Sequence, residues 1–416
     1  MNHFQRKRGE LCCEDVPLAE LAAEVGTPAY VYSTATLRRH ARVFKAALRG
    51  LDVLACFAVK SAPNLALLSL LAEEGFGFDI VSGGELYRAL KAGGEADKIV
   101  FSGVGKREEE MEAALQARIH QFNCESEEEL EQLSRVASRA RKVAPVALRV
   151  NPEVDARTHP YVATALASSK FGVPAGRVRK AYRLAASLPG LKVVGLACHI
   201  GSQIDELGPF VEAAKKMRAL FLQLRADGHD LRRLDMGGGL GVPYRERGRQ
   251  PASPQRYGEA LARALSGLEA TVIFEPGRLL VANAGVLLSR VLLRKQGHAA
   301  RKFVVVDAGM NDLLRPALYQ AHHELEPVGR PRRGAEVVDV VGPVCESADV
   351  LAKRRRLPPL QAGDLVVLRT AGAYGMAMAS QYNARPRPVE VLVDGRSWRV
   401  VRARESYADL VRGESV

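Results

Sequence analysis

Eight short apolar runs recur between residues 50 and 280, and amphipathic segments separate most of them. The runs are Leu54–Val59, Phe78–Val81, Ile99–Ser102, Ile119–Asn123, Val146–Val150, Val193–His199, Leu234–Met236 and Val272–Glu275. Runs of this length, rich in β-branched and aromatic residues, predict buried strands. The spacers, such as Glu127-Glu-Glu-Leu-Glu-Gln-Leu-Ser-Arg-Val136, place apolar residues at helical spacing. Alternating strands and helices make a parallel sheet. Eight such repeats predict a closed (β/α)8 barrel of the TIM type, for which ~250 residues is typical. Chemistry in these barrels gathers at the C-terminal ends of the strands.

The texture changes after residue 285. Gly285–Val291, Phe303–Val306, Val337–Val341, Leu365–Leu368, Val389–Val393 and Trp398–Val401 are β-rich runs between Gly, Pro and charged turns. They predict a second, C-terminal all-β domain, a small barrel or sandwich. Tyr30-Val-Tyr32 reads as a strand that joins it. The expected division is a barrel over 36–282, and a β domain made from 1–35 and 283–416. A net charge of +13 raises the question of nucleic acid. Its clusters, Arg6-Lys-Arg8, Arg330-Pro-Arg-Arg333 and Lys353-Arg-Arg-Arg356, lack interleaved aromatics and any DNA-binding motif, so they read as solvated loops. No run approaches the ~18 apolar residues of a membrane span. The N-terminus shows no signal peptide. Six cysteines without metal-ligand spacing or a disulfide framework fit a reducing, cytoplasmic compartment, and no metal site is expected.

The strand tips carry the residues of interest. Lys60 closes the run Val53-Leu-Ala-Cys-Phe-Ala-Val59. Lysine is rarely buried unless paired, so it either snorkels to water or acts as an amine nucleophile that forms Schiff bases. Cys198-His-Ile-Gly-Ser-Gln203 places His199 as a base, as a ring stacked on a ligand, or as a core histidine bonded to backbone. Asp235-Met-Gly-Gly-Gly-Leu-Gly241 suits backbone N–H groups approaching a phosphate, or a plain turn. Phe274-Glu-Pro-Gly-Arg278 sets an acid, Glu275, beside a bidentate cation, Arg278. In Asp79-Ile-Val-Ser-Gly-Gly-Glu85 a capping box of Ser82 and Glu85 explains most of the pattern, and Asp79 stays a minor site residue. In the β region, Arg315 and Tyr319 lie four apart at a helix start marked by Pro316. Val344-Cys-Glu-Ser-Ala-Asp349 offers Cys345 as a proton donor and Glu346 as an amine ligand. The same tripeptide at Cys124-Glu-Ser126 merely opens a helix.

Taken in order, Phe57-Ala-Val-Lys60, His199-Ile-Gly-Ser-Gln203, Gly237-Gly-Gly239, Glu275-Pro-Gly-Arg278, Cys345-Glu-Ser347 and Tyr374-Gly375 resemble the alanine-racemase-like, fold type III pyridoxal-phosphate decarboxylases. The resemblance runs from Gly26-Thr-Pro to Tyr382-Asn. It implies pyridoxal 5'-phosphate held on Lys60 as a Schiff base, with His199 stacked on its ring and Asp79 nearby. Gly237, Gly238 and Gly239 and their neighbours, with Ser202, would bind its phosphate, Gly277 and Arg278 would also contact the cofactor, and Glu275 would pair with the pyridine nitrogen. Arg278, Arg315 and Tyr319 would bind substrate carboxylate, and Tyr374 would touch cofactor and substrate. Cys345, the implied proton donor, and Glu346 would serve the partner subunit's site in a head-to-tail homodimer.

The branch of that family implied by Cys345-Glu346, by Arg315 with Tyr319, and by Asp155-Ala-Arg-Thr-His-Pro-Tyr161 through Lys170-Phe-Gly172 decarboxylates meso-2,6-diaminopimelate to L-lysine and CO2, the last step of lysine biosynthesis. Ornithine-type relatives usually carry Cys-Asp at the first of these positions. Ornithine, arginine, carboxynorspermidine or a carrier-bound amino acid are the alternative substrates. A non-catalytic cofactor-binding homologue and a cofactor-free Schiff-base aldolase are the readings from other classes. Two positions depart from the family pattern: Ser61-Ala62 after the lysine, where Ala-Asn is usual, and Ala163-Thr164-Ala165, where Ser-Thr-Gly is common.

Overall fold

The structure is a computed structural model that describes residues 2–155, 170–248 and 250–416. Ala163-Thr164-Ala165 and most of the Asp155-to-Tyr161 stretch lie outside the described residues. The chain forms two compact units. One is Ala41–Val242 with Gln250–Leu279, and the other is Met1–His40, Pro243–Arg249 and Leu280–Val416.

The first unit is the barrel. Its strands are β1 (Val53–Ala58), β2 (Gly77–Ile80), β3 (Ile99–Phe101), β4 (Gln121–Cys124), β5 (Ala144–Asn151), β6 (Leu191–Ala197), β7 (Arg233–Asp235) and β8 (Thr271–Phe274). Each pairs in parallel with the next, and β8 pairs with β1 to close the ring. All eight expected runs are strands, with ends displaced by one or two residues. The period-2 pattern sorts their side chains. Phe57, Phe78, Phe122 and Phe274 are fully buried, and Phe274 meets Phe44 of the helix Thr34–Ala47 edge to face at 6.4 Å. A small cluster of Leu54, Cys56, Val100 and Ile273 fills part of the core.

Helix starts follow the sequence. Asn64, Ser82, Ser126 and Ser253 each accept a backbone N–H of the first turn; such a cap contributes about 1 kcal/mol. Ser82 takes the Glu85 N–H, while Glu85 reaches back to the N–H of Val81, one residue beyond the cap. Ser126 and Glu129 repeat this arrangement, with Glu129 bonded to the N–H of Glu125.

The second unit is mainly β. Gly285–Gln296 pairs antiparallel with Lys302–Val306, Leu365–Leu368 and Ala29–Ser33. Ala29–Ser33 contains Tyr30-Val-Tyr32 and also runs parallel to Val389–Asp394. Leu18, Leu21, Val31, Leu288, Val367 and Val391 belong to its core. One expectation is corrected here: Lys353-Arg-Arg-Arg356 is no loop but part of the strand Val350–Leu357, paired with Glu336–Val341. That strand ends its sheet, and a row of charged side chains is how proteins keep an edge strand from recruiting another chain. Arg6 and Lys7 likewise lie in a strand, Phe4–Lys7, of a small three-stranded sheet. No helix among the described residues is long and apolar enough to cross a membrane.

Candidate active site

Lys60 sits in a one-turn 3-10 helix, Val59–Ser61, directly after β1. Its Nζ lies 2.6 Å from Oδ2 of Asp79 on the adjacent strand β2. The lysine side chain is 36% exposed and the aspartate is fully buried. Oδ1 of Asp79 is buried and accepts no hydrogen bond among the described residues. Asp79, a minor residue in the sequence reading, is thus the ionic partner of the lysine. The departure at Ser61-Ala62 is packed in: both residues are buried, and Ser61 Oγ donates to the Ala58 carbonyl at 2.8 Å. Gly277 lies against it, since a Cβ there would stand 3.1 Å from Ser61 Oγ.

Glu275 follows β8 and is buried. Burial, with Asp235 and Asp79 adding, pushes its carboxyl well above the usual carboxylate range. The neighbouring Asp235, at the end of β7, is pushed up to about 6, again chiefly by burial. Asp235 accepts the Gly237 N–H at 2.9 Å and the Asn123 amide at 2.9 Å. Asn123 also donates to Ser102 Oγ at 3.1 Å, and Ser102 Oγ lies 3.4 Å from Glu275 Oε1. Gln121, two residues before Asn123 on β4, donates to the Asn123 side chain at 2.8 Å. Polar residues two apart inside a fully buried strand were the sequence signal for this network. The sequence reading did not use it, and so missed Asn123, Ser102 and the role of Asp235.

The glycine tip after β7 can only be glycine. Gly237 and Gly239 have φ of 67° and 112°, where an L side chain is strained. A Cβ on Gly238 would stand 2.2 Å from the Glu275 carbonyl oxygen. The Gly238 N–H donates to His199 Nδ1 at 3.2 Å. Burial, with Arg149 and Lys60 adding, holds the His199 pKa well below the usual imidazole range. The ring is therefore neutral, with its proton on Nε2. Arg278, also buried, donates to Ser202 Oγ through Nη2 at 2.9 Å. Lys60, Asp79, His199, Ser202, Gly237, Gly238, Gly239, Glu275, Gly277 and Arg278 all lie in the barrel unit, at or just beyond strand ends. A second buried pair stands at the ends of β4 and β5. Arg149 meets Glu125 at 2.9 Å and stacks on the ring of Phe171 at 4.7 Å. The other Glu125 oxygen takes the Gly172 N–H at 2.9 Å. That pair escaped the sequence reading, because nothing in the two local patterns ties them together.

The remaining residues belong to the β unit. Arg315 and Tyr319 open and close the short helix Arg315–Tyr319; Arg315 is buried and Tyr319 half-buried. Cys345 and Glu346 are exposed on a turn. Asp349 shapes that turn by accepting the N–H groups of Val344 and Met310, each at 2.7 Å. The Cys345 N–H donates to Asn383 at 2.8 Å, and Glu346 accepts the Tyr382 hydroxyl. Tyr374 holds a left-handed φ of 56°, the kind of backbone strain that persists where the surroundings impose it.

The barrel residues suit pyridoxal phosphate. An amine stands at a strand end beside a buried carboxylate with an unsatisfied oxygen. A second buried acid offers a partner for a cationic ring nitrogen, and a tip where only glycine fits lets the backbone approach a phosphate closely.

Comparison with known proteins agrees. Residues 34–282 match the family of the pyridoxal-dependent decarboxylases, in their pyridoxal binding domain. A diaminopimelate decarboxylase of Vibrio cholerae is 51% identical over 100% of this chain and 99% of its own. The crystal structure of diaminopimelate decarboxylase from Helicobacter pylori complexed with L-lysine is 42% identical, with a TM-score of 0.91 over 95% of this chain and 98% of that one. The enzyme from M. jannaschii in co-complex with L-lysine is 36% identical, with a TM-score of 0.95 over 100% and 99% of the two chains. The chain belongs to the pyridoxal-dependent decarboxylases, on the diaminopimelate decarboxylase branch.

Proposed function

We propose that this chain decarboxylates meso-2,6-diaminopimelate to L-lysine and CO2 with pyridoxal 5'-phosphate. The observation that carries the reading is the strand-end cluster of Lys60, Asp79, Asp235 and Glu275 beside the glycine tip, in a chain 51% identical to a diaminopimelate decarboxylase. When bound, the cofactor supplies an electron sink for the pair left behind by the departing carboxylate.

The chain's own residues do the rest. Lys60 would hold the cofactor covalently through Nζ, and Asp79 would keep that nitrogen in place. Glu275, whose carboxyl burial raises well above the usual range, would pair with the ring nitrogen as its counter-ion. Asp235 sits beside it and shares the burden of burial. Neutral His199 presents a flat ring rather than a second cation. The glycine tip would take the phosphate with Ser202: Gly237 and Gly238, whose N–H groups bond Asp235 and His199, give it room, and Gly239 offers its N–H, while Gly277 contacts the cofactor.

In the β domain, taken as 1–35 and 283–416 against a barrel of 36–282, Arg315 and Tyr319 take the substrate carboxylate that is retained, together with Arg278 from the barrel. Tyr374 contacts cofactor and substrate. Cys345 delivers a proton from Sγ to the carbon that lost CO2, so the substrate exchanges one carboxylate for one hydrogen. Cys345 and Glu346 act in the site of the other subunit of a homodimer, which accords with their exposure on a rigid turn. The enzyme works in the cytoplasm.

Measuring CO2 release from meso-diaminopimelate, ornithine, arginine and carboxynorspermidine tests the reading. Release from the first alone is expected. Release from another member of the panel, with none from meso-diaminopimelate, overturns it.

A further inference from the structure

The side chain of Arg315 is held by groups to which neither the sequence nor the family comparison assigned a role. Its Nη1 lies 2.9 Å from Nε2 of His323, which is fully buried. The other ring nitrogen, Nδ1, lies 2.9 Å from the carbonyl oxygen of Arg369. A guanidinium only donates and a carbonyl only accepts. His323 must therefore carry its single proton on Nδ1 and offer a lone pair from Nε2, and both bonds together fix this neutral tautomer. On a second side, the guanidinium carbon lies 4.4 Å from the centre of the Tyr244 ring, within cation–π range. Tyr244 and His323 in turn meet edge to face at 5.3 Å and 82°. These two contacts orient the guanidinium. A buried guanidinium whose plane is set by two rings is held in the orientation that bidentate recognition of a carboxylate requires.

We propose that His323 is a positioning residue that, with Tyr244, aims the Arg315 guanidinium at the carboxylate retained by the substrate, and so sets the preference for a substrate with a second carboxylate. The inference rests on the proposed role of Arg315. The Nδ1–H···O bond anchors the ring to the strand end at Leu365–Leu368, and the Nε2 lone pair transmits that position to Arg315. Loss of the lone pair removes this hold on the guanidinium, and affinity for the carboxylate falls while the cofactor end of the site stays as it was.

Two substitutions separate the bonds. His323→Gln puts an amide oxygen near the place of Nε2 and keeps an acceptor for Arg315. His323→Asn keeps a donor near the place of Nδ1 and loses that acceptor. The probes are L-lysine, which carries the retained carboxylate, and 1,5-diaminopentane, which lacks it. Binding of each to the holoenzyme is followed by the change in cofactor absorbance. His323→Asn is expected to weaken L-lysine about tenfold or more, the size of losing a hydrogen bond to a charged group, and to raise KM for meso-diaminopimelate alike. Its kcat and its affinity for 1,5-diaminopentane stay within about twofold of the parent, and His323→Gln stays within about threefold for both ligands. Equal weakening of both ligands, or equal behaviour of the two variants, overturns the proposal and leaves His323 a packing residue. If His323→Asn does not fold, Tyr244→Leu carries the same two-ligand test with the same outcomes. Arg315→Ala separates the inference from its premise. If that variant binds L-lysine as the parent does, the assignment of Arg315 falls and the inference with it. If it binds L-lysine weakly while His323→Asn does not, the inference alone falls.

Discussion

Buried carboxylates occur in both units, and they are satisfied differently. In the β unit, Asp349 accepts two backbone N–H groups at 2.7 Å, one on each oxygen. Asp339 takes the Arg354 N–H at 2.5 Å and the Arg301 side chain at 2.6 Å. Glu390 takes the Tyr32 hydroxyl at 2.8 Å and Arg402 at 2.7 Å. Each of these acids is a fastener for turns and strands, with both oxygens used. In the barrel, Asp79 has a buried oxygen without a hydrogen bond among the described residues, and Glu275 bonds another acid, Asp235, besides Ser102 at 3.4 Å. Leaving a buried acceptor unpaired costs on the order of 1–3 kcal/mol. The difference teaches that the acids proposed to act in the site are held by one another and by a lysine, where the structural acids are held by backbone and arginine.

The largest effect expected from breaking this contrast is at Lys60. Lys60→Ala removes the amine and strands Asp79 as a buried carboxylate. Covalent attachment of the cofactor is lost, read as loss of the absorbance near ~420 nm that a lysine Schiff base of pyridoxal phosphate shows. Turnover falls by at least about a thousandfold. A variant that keeps both would remove Lys60 from the site. Next comes the exchange of roles. Glu275→Gln should slow turnover by about a hundredfold or more and leave the melting temperature of the apoprotein unchanged or higher, because a neutral amide is easier to bury there than a carboxyl among acids. Asp349→Ala should do the reverse on stability. It frees two N–H groups and destabilises the chain by about 2–5 kcal/mol, measurable by denaturant unfolding. A stable Asp349→Ala variant would erase the distinction between the two kinds of acid.

A third measurement sharpens the picture within the β unit. Cys345→Ala should keep the cofactor bound with its absorbance intact, yet slow turnover by about a hundredfold, the scale of removing a general acid. Cys345 sits on the turn that Asp349 ties down, so a functional group here is carried by fasteners. Unchanged turnover would take Cys345 out of the mechanism.

Much of this was legible in the sequence, and the physics explains which part. Barrel strands are buried on both faces, so their runs stand out against the helical spacers, and the residue at each run's end is a site candidate by position. Lys60, His199 and Glu275 were found that way. Asp79 was underrated because a local cap, Ser82, accounted for its motif so well. Asp235 was passed over because the glycines after it drew the explanation. Three-dimensional neighbours with no local pattern, such as Arg149 with Glu125 or Arg315 with His323, are set by strand order and by chain reversals that spacing does not encode. The charge run at Lys353–Arg356 was misread as a loop, since an edge strand is where charge and β structure coexist. The left-handed φ of Tyr374 has no sequence signal at all, for tyrosine is not a residue that favours it.

The smallest expected effect is a slope, and it tests whether the buried acids with raised pKa values hold protons. Asp235 is raised from 3.8 to about 6; Glu85 and Asp312 are raised to about 7, in each case chiefly by burial. A carboxyl with a raised folded pKa binds its proton more tightly in the native chain than in the unfolded one. Between the two values the native state holds more protons, so stability falls as pH rises. For Asp235 the fall runs from about pH 4 to about pH 6 and is complete above that, with a size on the order of 2–3 kcal/mol. Glu85 and Asp312 carry the same trend on to about pH 7. The apoprotein should therefore lose melting temperature across pH 4 to 7 through these groups. Asp235→Asn, which has no proton to lose, should flatten the lower half of that decline while leaving the upper half. The substitution also disturbs the bond to Asn123, but that offset is the same at every pH and does not alter the slope. A variant with the parent slope below pH 6 would mean that Asp235 is already ionised beside Glu275. The barrel would then carry Asp235 as the β unit carries Asp339 and Glu390, with its charge offset by its partners.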